Sequence, residues 1–189
     1  MKEIIKQVEA LAMKEINEYK IPKTEHFILA NEKGQQLAEA LGANKDIVMF
    51  GTILMDLKIG MCMKEGRLAE HVQESASAAK EFLKNFNLAD DDIKKIISCI
   101  ELHHGTDKYP CLEAEICANA DCYRFLSAEG FFHGLLIFGQ RTADFNEVLN
   151  NLEKKIEEKH NVISLSICRQ ELEDNFQNFK KLIEAAKRN

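Results

Sequence analysis

The sequence predicts an all-α fold, and three observations carry that prediction. Apolar residues recur at helical spacing through almost the whole chain. Only two prolines occur, Pro22 and Pro110. No alternating apolar–polar run bounded by hairpin turns interrupts the pattern. A chain of 189 residues is long enough to bury a substantial core. Without an internal repeat or a low-complexity linker, it reads as one domain over residues 1–189.

The elements follow in order. Ile4, Ile5, Val8, Leu11, Ala12 and Ile16 form one face of a first helix, which stops before Pro22. Thr24 is the expected N-cap of a second helix, which carries His26, Leu37, Ala38 and Leu41 and closes at Gly42. Asn44 and Asp46 open a third. Its run Ile47-Val48-Met49-Phe50 through Ile53-Leu54 is apolar on every side, so it is the expected central helix. Asp56 falls at its C-terminal end, where the helix dipole disfavours a carboxylate. A positive charge is therefore expected beside it. A loop containing Gly60 and Gly66 follows. A fourth helix, from about Leu68 to Phe86, places His71 and Ser75 on one face. Asp90 caps a fifth helix through Ile93, Ile96, Ile97 and Ile100, ending at His103-His104-Gly105. After the loop Thr106 to Pro110, a sixth helix from about Glu113 to Leu126 carries Asp121. Gly130, Gly134 and Gly139 punctuate an apolar segment. Glu147 to His160 reads as an exposed helix with Leu149, Leu152 and Ile156 on one side. A last helix covers about Ile167 to Lys187.

Hydrophobic residues at 46% and charged residues at 30% are the balance of a soluble globular protein. A net charge of -6 offers no basic field for a nucleic-acid backbone, so polymeric nucleic acid is not an expected partner. A small phosphorylated molecule fits, because a bound metal supplies positive charge locally. No apolar run approaches the ~20 residues of a membrane span. The start, MKEIIKQVEA, sets charges inside the apolar pattern and has no secretory hydrophobic region. The expected location is the cytoplasm, where the six cysteines stay reduced. None forms a Cys-x-x-Cys pair, so core thiols are expected rather than zinc ligands. The sequence is compatible with an oligomer.

Imidazole and carboxylate groups bind zinc, iron, manganese, nickel, cobalt or magnesium. His26, Asp56, His71, His103, His104 and Asp121 supply such groups over the first two thirds of the chain. Each histidine alone has an ordinary structural explanation. The two acids do not. Asp121 follows the small, apolar run Ile116 to Ala120, and Asp56 follows an apolar helix. An ionised carboxylate in such surroundings needs a partner, and a shared cation would serve both.

The order His26, Met55-Asp56, His71-x-x-x-Ser75, Ile100-Glu101-Leu102-His103-His104 and Glu115 with Ala120-Asp121 resembles the HD-domain superfamily of metal-dependent phosphohydrolases. The resemblance covers roughly residues 20–130. It implies a helical bundle of the HD-domain type with the metal site at its centre and residues 131–189 packed on it. It implies hydrolysis of phosphate esters, commonly of nucleotides. By this resemblance His26, Asp56 and Asp121 hold a first divalent ion. Asp56 bridges to a second ion held by His71 and His103, and His104 faces the phosphate. Lys58 and Arg124 are the further phosphate-contact candidates. Asp56, His104 and Lys58 are the expected catalytic residues.

Met55 is the departure from this pattern, because it stands where the His-Asp doublet has its histidine. A thioether is a poor ligand for hard divalent cations. Three protein ligands remain, a number with which catalytic zinc works. Two functions follow. One is a metal-dependent phosphohydrolase acting on a nucleotide or related phosphoester. The other is a degenerate member that binds a nucleotide, a phosphorylated ligand or a protein partner without hydrolysing it.

Overall fold

Two helices buried on nearly every side organise the molecule. In the computed structural model, which describes residues 1–187, they are α3 (Lys45–Leu54) and α7 (Leu112–Leu126). Every residue of α7 from Ile116 to Leu126 is buried. Its side chains from Cys117 to Cys122 are small, which lets neighbouring helices approach closely. The other helices are α1 (Lys2–Tyr19), α2 (Thr24–Leu41), α4 (Ile59–Lys64), α5 (His71–Leu83), α6 (Asp90–Glu101), α8 (Ala128–Gly139), α9 (Phe145–Val162) and α10 (Ser166–Ala186). α3 packs against α1, α2, α6 and α7, and α7 packs against α2, α6, α8, α9 and α10. Among the described residues there is no strand, and no helix is long and apolar enough to cross a membrane. The fold class is all-α.

Local chemistry sets most boundaries. The Asn44 side chain accepts hydrogen bonds from the backbone N–H of Asp46 at 3.0 Å and of Ile47 at 3.3 Å, which starts α3. Gly42 ends α2 with φ of 69°, a left-handed conformation that costs glycine little. Two expected caps sit one residue inside their helices instead. Lys23 and Ala89 occupy the cap positions without a side-chain bond, and Thr24 and Asp90 are the first helical residues. Asp90, Asp91 and Asp92 still favour that end of α6 through the dipole.

Three further segments differ from the sequence reading. The expected loop at Gly60 contains the short helix α4. A Cβ on Gly60 would lie 2.4 Å from the Tyr19 Cβ, so this glycine serves close packing against the end of α1 rather than a turn. The expected helix from Leu68 begins as a 3₁₀ turn, Leu68–Glu70, and α5 ends at Leu83. The glycine-punctuated segment is the helix α8, capped by Ser127, whose hydroxyl accepts from the Gly130 N–H at 3.0 Å.

The C-terminal helices are fastened to α7 by one side chain. Asn119 is fully buried. It accepts from the N–H groups of Ser164 and Leu165, and it donates to the Ser164 hydroxyl at 2.9 Å and the Glu115 carbonyl at 2.8 Å. The link between α9 and α10 is thereby seated on α7. All six cysteines are free; five are buried and Cys111 is half-buried, as expected of core thiols.

α3 approaches α6 and α7 through Gly51. A Cβ there would lie 2.5 Å from the Cys99 Cβ and 2.6 Å from the Cys117 Sγ. Gly51→Ala is expected to destabilise the fold by about 1–3 kcal/mol through overpacking, despite the better helix propensity of alanine. The urea midpoint measures it; an unchanged or raised midpoint would show that the helices part freely.

Candidate functional site

Asp56 lies in the turn after α3, and α5 fixes that turn. The Lys58 backbone N–H donates to the Ser75 hydroxyl at 2.9 Å. Ser75 stands one helical turn after His71, so the same helix pins the turn and presents an imidazole to it. His71 Nε2 is 3.6 Å from Asp56 Oδ1. His103, just beyond α6, brings its own Nε2 to 3.6 Å from the same oxygen.

Both rings are oriented by backbone carbonyls. His71 Nδ1 is 2.7 Å from the Leu68 carbonyl, and His103 Nδ1 is 2.7 Å from the Ile100 carbonyl. A carbonyl only accepts, so each Nδ1 carries the proton and each Nε2 presents a lone pair. Metal-binding histidines are held in this way. His103 Nε2 is buried with no hydrogen-bond partner. Two imidazole lone pairs and one carboxylate oxygen thus face one another, an arrangement that fits a cation. His104 adds a third ring, and ligand atoms of His71, His103 and His104 all lie within 4.8 Å of one another.

The other oxygen of Asp56 has a different partner. Arg124 Nη1 donates to Asp56 Oδ2 at 2.5 Å and to Asp121 Oδ1 at 2.7 Å. Lys159 of α9 meets the remaining oxygen, Asp121 Oδ2, at 2.5 Å. Two buried acids are therefore compensated by two buried cations. The positive charge expected beside Asp56 is present, and it is a side chain. Burial alone would raise the Asp56 carboxyl pKa, but the Arg124 guanidinium holds it well below the usual carboxylate range. Burial opposes ionisation of Asp121 likewise, and Lys159 and Arg124 overcome it.

The remaining candidate residues are placed as follows. His26 is buried, with Nε2 3.2 Å from the Gly130 carbonyl and its ring edge-on to Phe125. Burial, reinforced by Arg124, lowers its pKa to about 3. The Lys58 ammonium turns to Glu15 of α1 at 2.7 Å. Met55 is buried and borders a small void with Ala12, Ile16 and Phe27. The structure thus joins Asp56, Asp121 and Arg124 in one ion-pair network and His71, His103 and His104 in one ring cluster. It gives His26 a carbonyl partner and Lys58 an acid on α1.

Lys159 escaped the sequence reading. Its signal was there: positions 149, 152, 156 and 159 share one helical face, so the lysine falls on the apolar side of α9, where Leu149, Leu152 and Ile156 are buried beside it.

The network opens into a cavity of about 390 Å³. Its lining combines the ion-pair network (Asp56, Asp121, Arg124, Lys159), the imidazoles of His26, His71 and His104 and further cations such as Lys155 and Arg141 with apolar side chains such as Ile21, Pro22, Ile137 and Phe138. A lining with an excess of cations beside apolar side chains suits a ligand with an anionic group and a hydrophobic body.

Two outcomes test this geometry. Arg124→Met leaves Asp56 without its guanidinium and Asp121 with one cation, and is expected to cost about 3–5 kcal/mol by chemical denaturation. Lys58→Met removes only the half-buried pair with Glu15 and is expected to cost about 1 kcal/mol. Equal costs would show that the buried network is not what holds α3 to α7. The second outcome concerns pH. His26 has an ordinary value of 6.5 and a folded value of about 3. The unfolded chain therefore takes up this proton first, and stability falls as pH drops from about 6.5 toward 3. His26→Gln removes that term, so the stability gap between wild type and variant should narrow between pH 7 and pH 4.5; a constant gap would contradict the assignment.

No family model and no solved structure matches the chain. Among curated proteins it is similar to a protein described as Ribonuclease Y, from Finegoldia magna, at 26% identity over 128 residues. The match covers 68% of this chain and 23% of that protein, so the chain spans less than a quarter of its relative's length.

Proposed function

We propose that the chain is a metal-dependent phosphohydrolase working with one divalent ion, held by His71, His103 and Asp56, on a small phosphorylated substrate bound in the cavity. The observation that carries this reading is the pair of Nε2 atoms, each 3.6 Å from Asp56 Oδ1, with their Nδ1 atoms fixed by carbonyls. Two histidines and one carboxylate are a ligand set of catalytic zinc, which keeps its fourth position open. Iron, manganese, nickel and cobalt also suit such ligands. When bound, the ion supplies Lewis acidity and a water whose pKa falls toward about 7. The similarity to a ribonuclease, by name an enzyme of phosphodiester cleavage, supports the reaction class.

The chain's own residues divide the remaining work. His71 and His103 hold the ion, and Asp56 balances its charge through Oδ1 while Oδ2 stays with Arg124. His104 faces the cavity beside them and contacts the phosphate. Arg124 lines the same cavity and adds positive potential. Of the two-ion arrangement, the second site is the one retained. At the first, Met55 offers no hard ligand and Arg124 takes the carboxylates that an ion would need. We place the protein in the cytoplasm, away from membranes and polymeric nucleic acid, and read residues 20–130 as the metal-binding part of one domain. The second reading, ligand binding without hydrolysis, is favoured by the same Arg124 contacts, because they commit both acids before any ion arrives.

Metal analysis of protein purified without chelator or added metal should find about one ion per chain, lost in His71→Ala and in His103→Ala and kept in His26→Ala. Hydrolysis of bis-p-nitrophenyl phosphate, nucleotides and a short RNA should fall to background in the same two variants. No bound ion in the wild type would overturn the reading. A bound ion without hydrolysis, with a nucleotide raising the melting temperature, would establish the binding function instead.

A further inference from the structure

Lys159 has so far only neutralised Asp121, yet its ammonium also touches the ring cluster. Its Nζ lies 3.1 Å from His104 Nδ1, 2.5 Å from Asp121 Oδ2 and 3.5 Å from Glu158 Oε1. The side chain is 1% exposed. An ammonium beside two carboxylates stays charged, and an ammonium can only donate. His104 Nδ1 must therefore accept, and a neutral His104 ring then carries its proton on Nε2.

The opposite side of the ring gives the same answer independently. His71 Nδ1 faces the Leu68 carbonyl, so His71 Nε2 is an acceptor. His104 Nε2 is 3.2 Å from it and must supply the proton between them. Glu158 Oε1, the carboxylate that could draw a proton to His104 Nδ1, is 3.7 Å away and is held by Lys155 at 2.9 Å.

We propose that Lys159 is a positioning residue that fixes His104 as the Nε2–H tautomer, so that His104 is a hydrogen-bond donor to a bound phosphate and not a third metal ligand. The phosphate half of this statement rests on the proposed function; the tautomer half does not. A nitrogen that bears a proton has no lone pair for a cation. The three clustered histidines therefore offer two ligand nitrogens, and the third ring presents an N–H. When His71 Nε2 is engaged elsewhere, that N–H is released toward the cavity. With His71 Nε2 engaged by an ion and Lys159 removed, nothing keeps His104 Nδ1 an acceptor; it is then free to take the proton, and Nε2 joins the other two as a ligand.

The test begins with metal-free wild-type protein labelled with 15N-histidine at neutral pH. The expected spectrum shows His104 protonated at Nε2 and unprotonated at Nδ1; the reverse assignment overturns the proposal. This measurement needs no variant, so the reverse tautomer overturns the proposal even if substitution of Lys159 unfolds the chain; the ion affinities then assign the tautomer to Lys159. Lys159→Met should tighten Co²⁺ or Zn²⁺ binding by about tenfold or more, with His104 in the Nδ1–H form once the ion occupies His71 Nε2. The gain should vanish in Lys159→Met combined with His104→Gln. Wild type and Lys159→Met binding the ion equally would overturn the proposal. If neither binds it, the proposed function fails, and the wild-type spectrum still decides the tautomer.

Discussion

The guanidinium shared by Asp56 and Asp121 is the contact on which the rest of the structure depends. Asp56 follows α3 and Asp121 lies within α7, the two helices around which the others pack. Arg124, one turn after Asp121, reaches back across that interface. Neither acid can be accommodated at its depth without a cation, and Arg124 is the cation they share. The histidines arrive from α5 and from the end of α6, and they meet an Asp56 whose position is already fixed. Its second oxygen is turned to them because the first is occupied.

This division of one carboxylate decides the chemistry the site can run. Oδ2 is spent on internal cohesion and Oδ1 faces the rings. A two-ion centre needs Asp56 to bridge, and with Arg124 in place it has one oxygen to give. Met55 offers no hard ligand beside Asp56, and the fixed Arg124 guanidinium keeps both acids compensated there.

Much of this was legible in the sequence. The apolar run of α3, the cap at Asn44 and the stop at Gly42 follow from local chemistry, and the structure has them. The apolar neighbours of the two acids alone imply a cation beside them. What the sequence did not display was which cation. A metal ion and a guanidinium answer the same electrostatic demand, and only the fold shows Arg124 already there. The caps at Thr24 and Asp90 were displaced by one residue because their helices begin on extended Lys23 and Ala89 and are favoured by their first-turn acids without a side-chain bond. Gly60 misled because glycine serves close packing as readily as turns. Lys159 is hard to see in the sequence because a lysine in a charged stretch is ordinarily solvated, and only its spacing from Leu149, Leu152 and Ile156 puts it on the buried face.

Asn119 gives the tail of the chain a share in the centre. By seating the link between α9 and α10 on α7, it sets the register in which α9 crosses the site, and so the height at which Lys159 meets Asp121 and His104. The residues that resemble a metal site all precede position 130, while one of the charges that govern them comes from beyond it. Two proteins could carry the same histidines and acids and still differ in how many rings accept an ion, according to the helix that closes over them. In this architecture the imidazoles and acids come from one part of the chain and the ammonium that meets them from another.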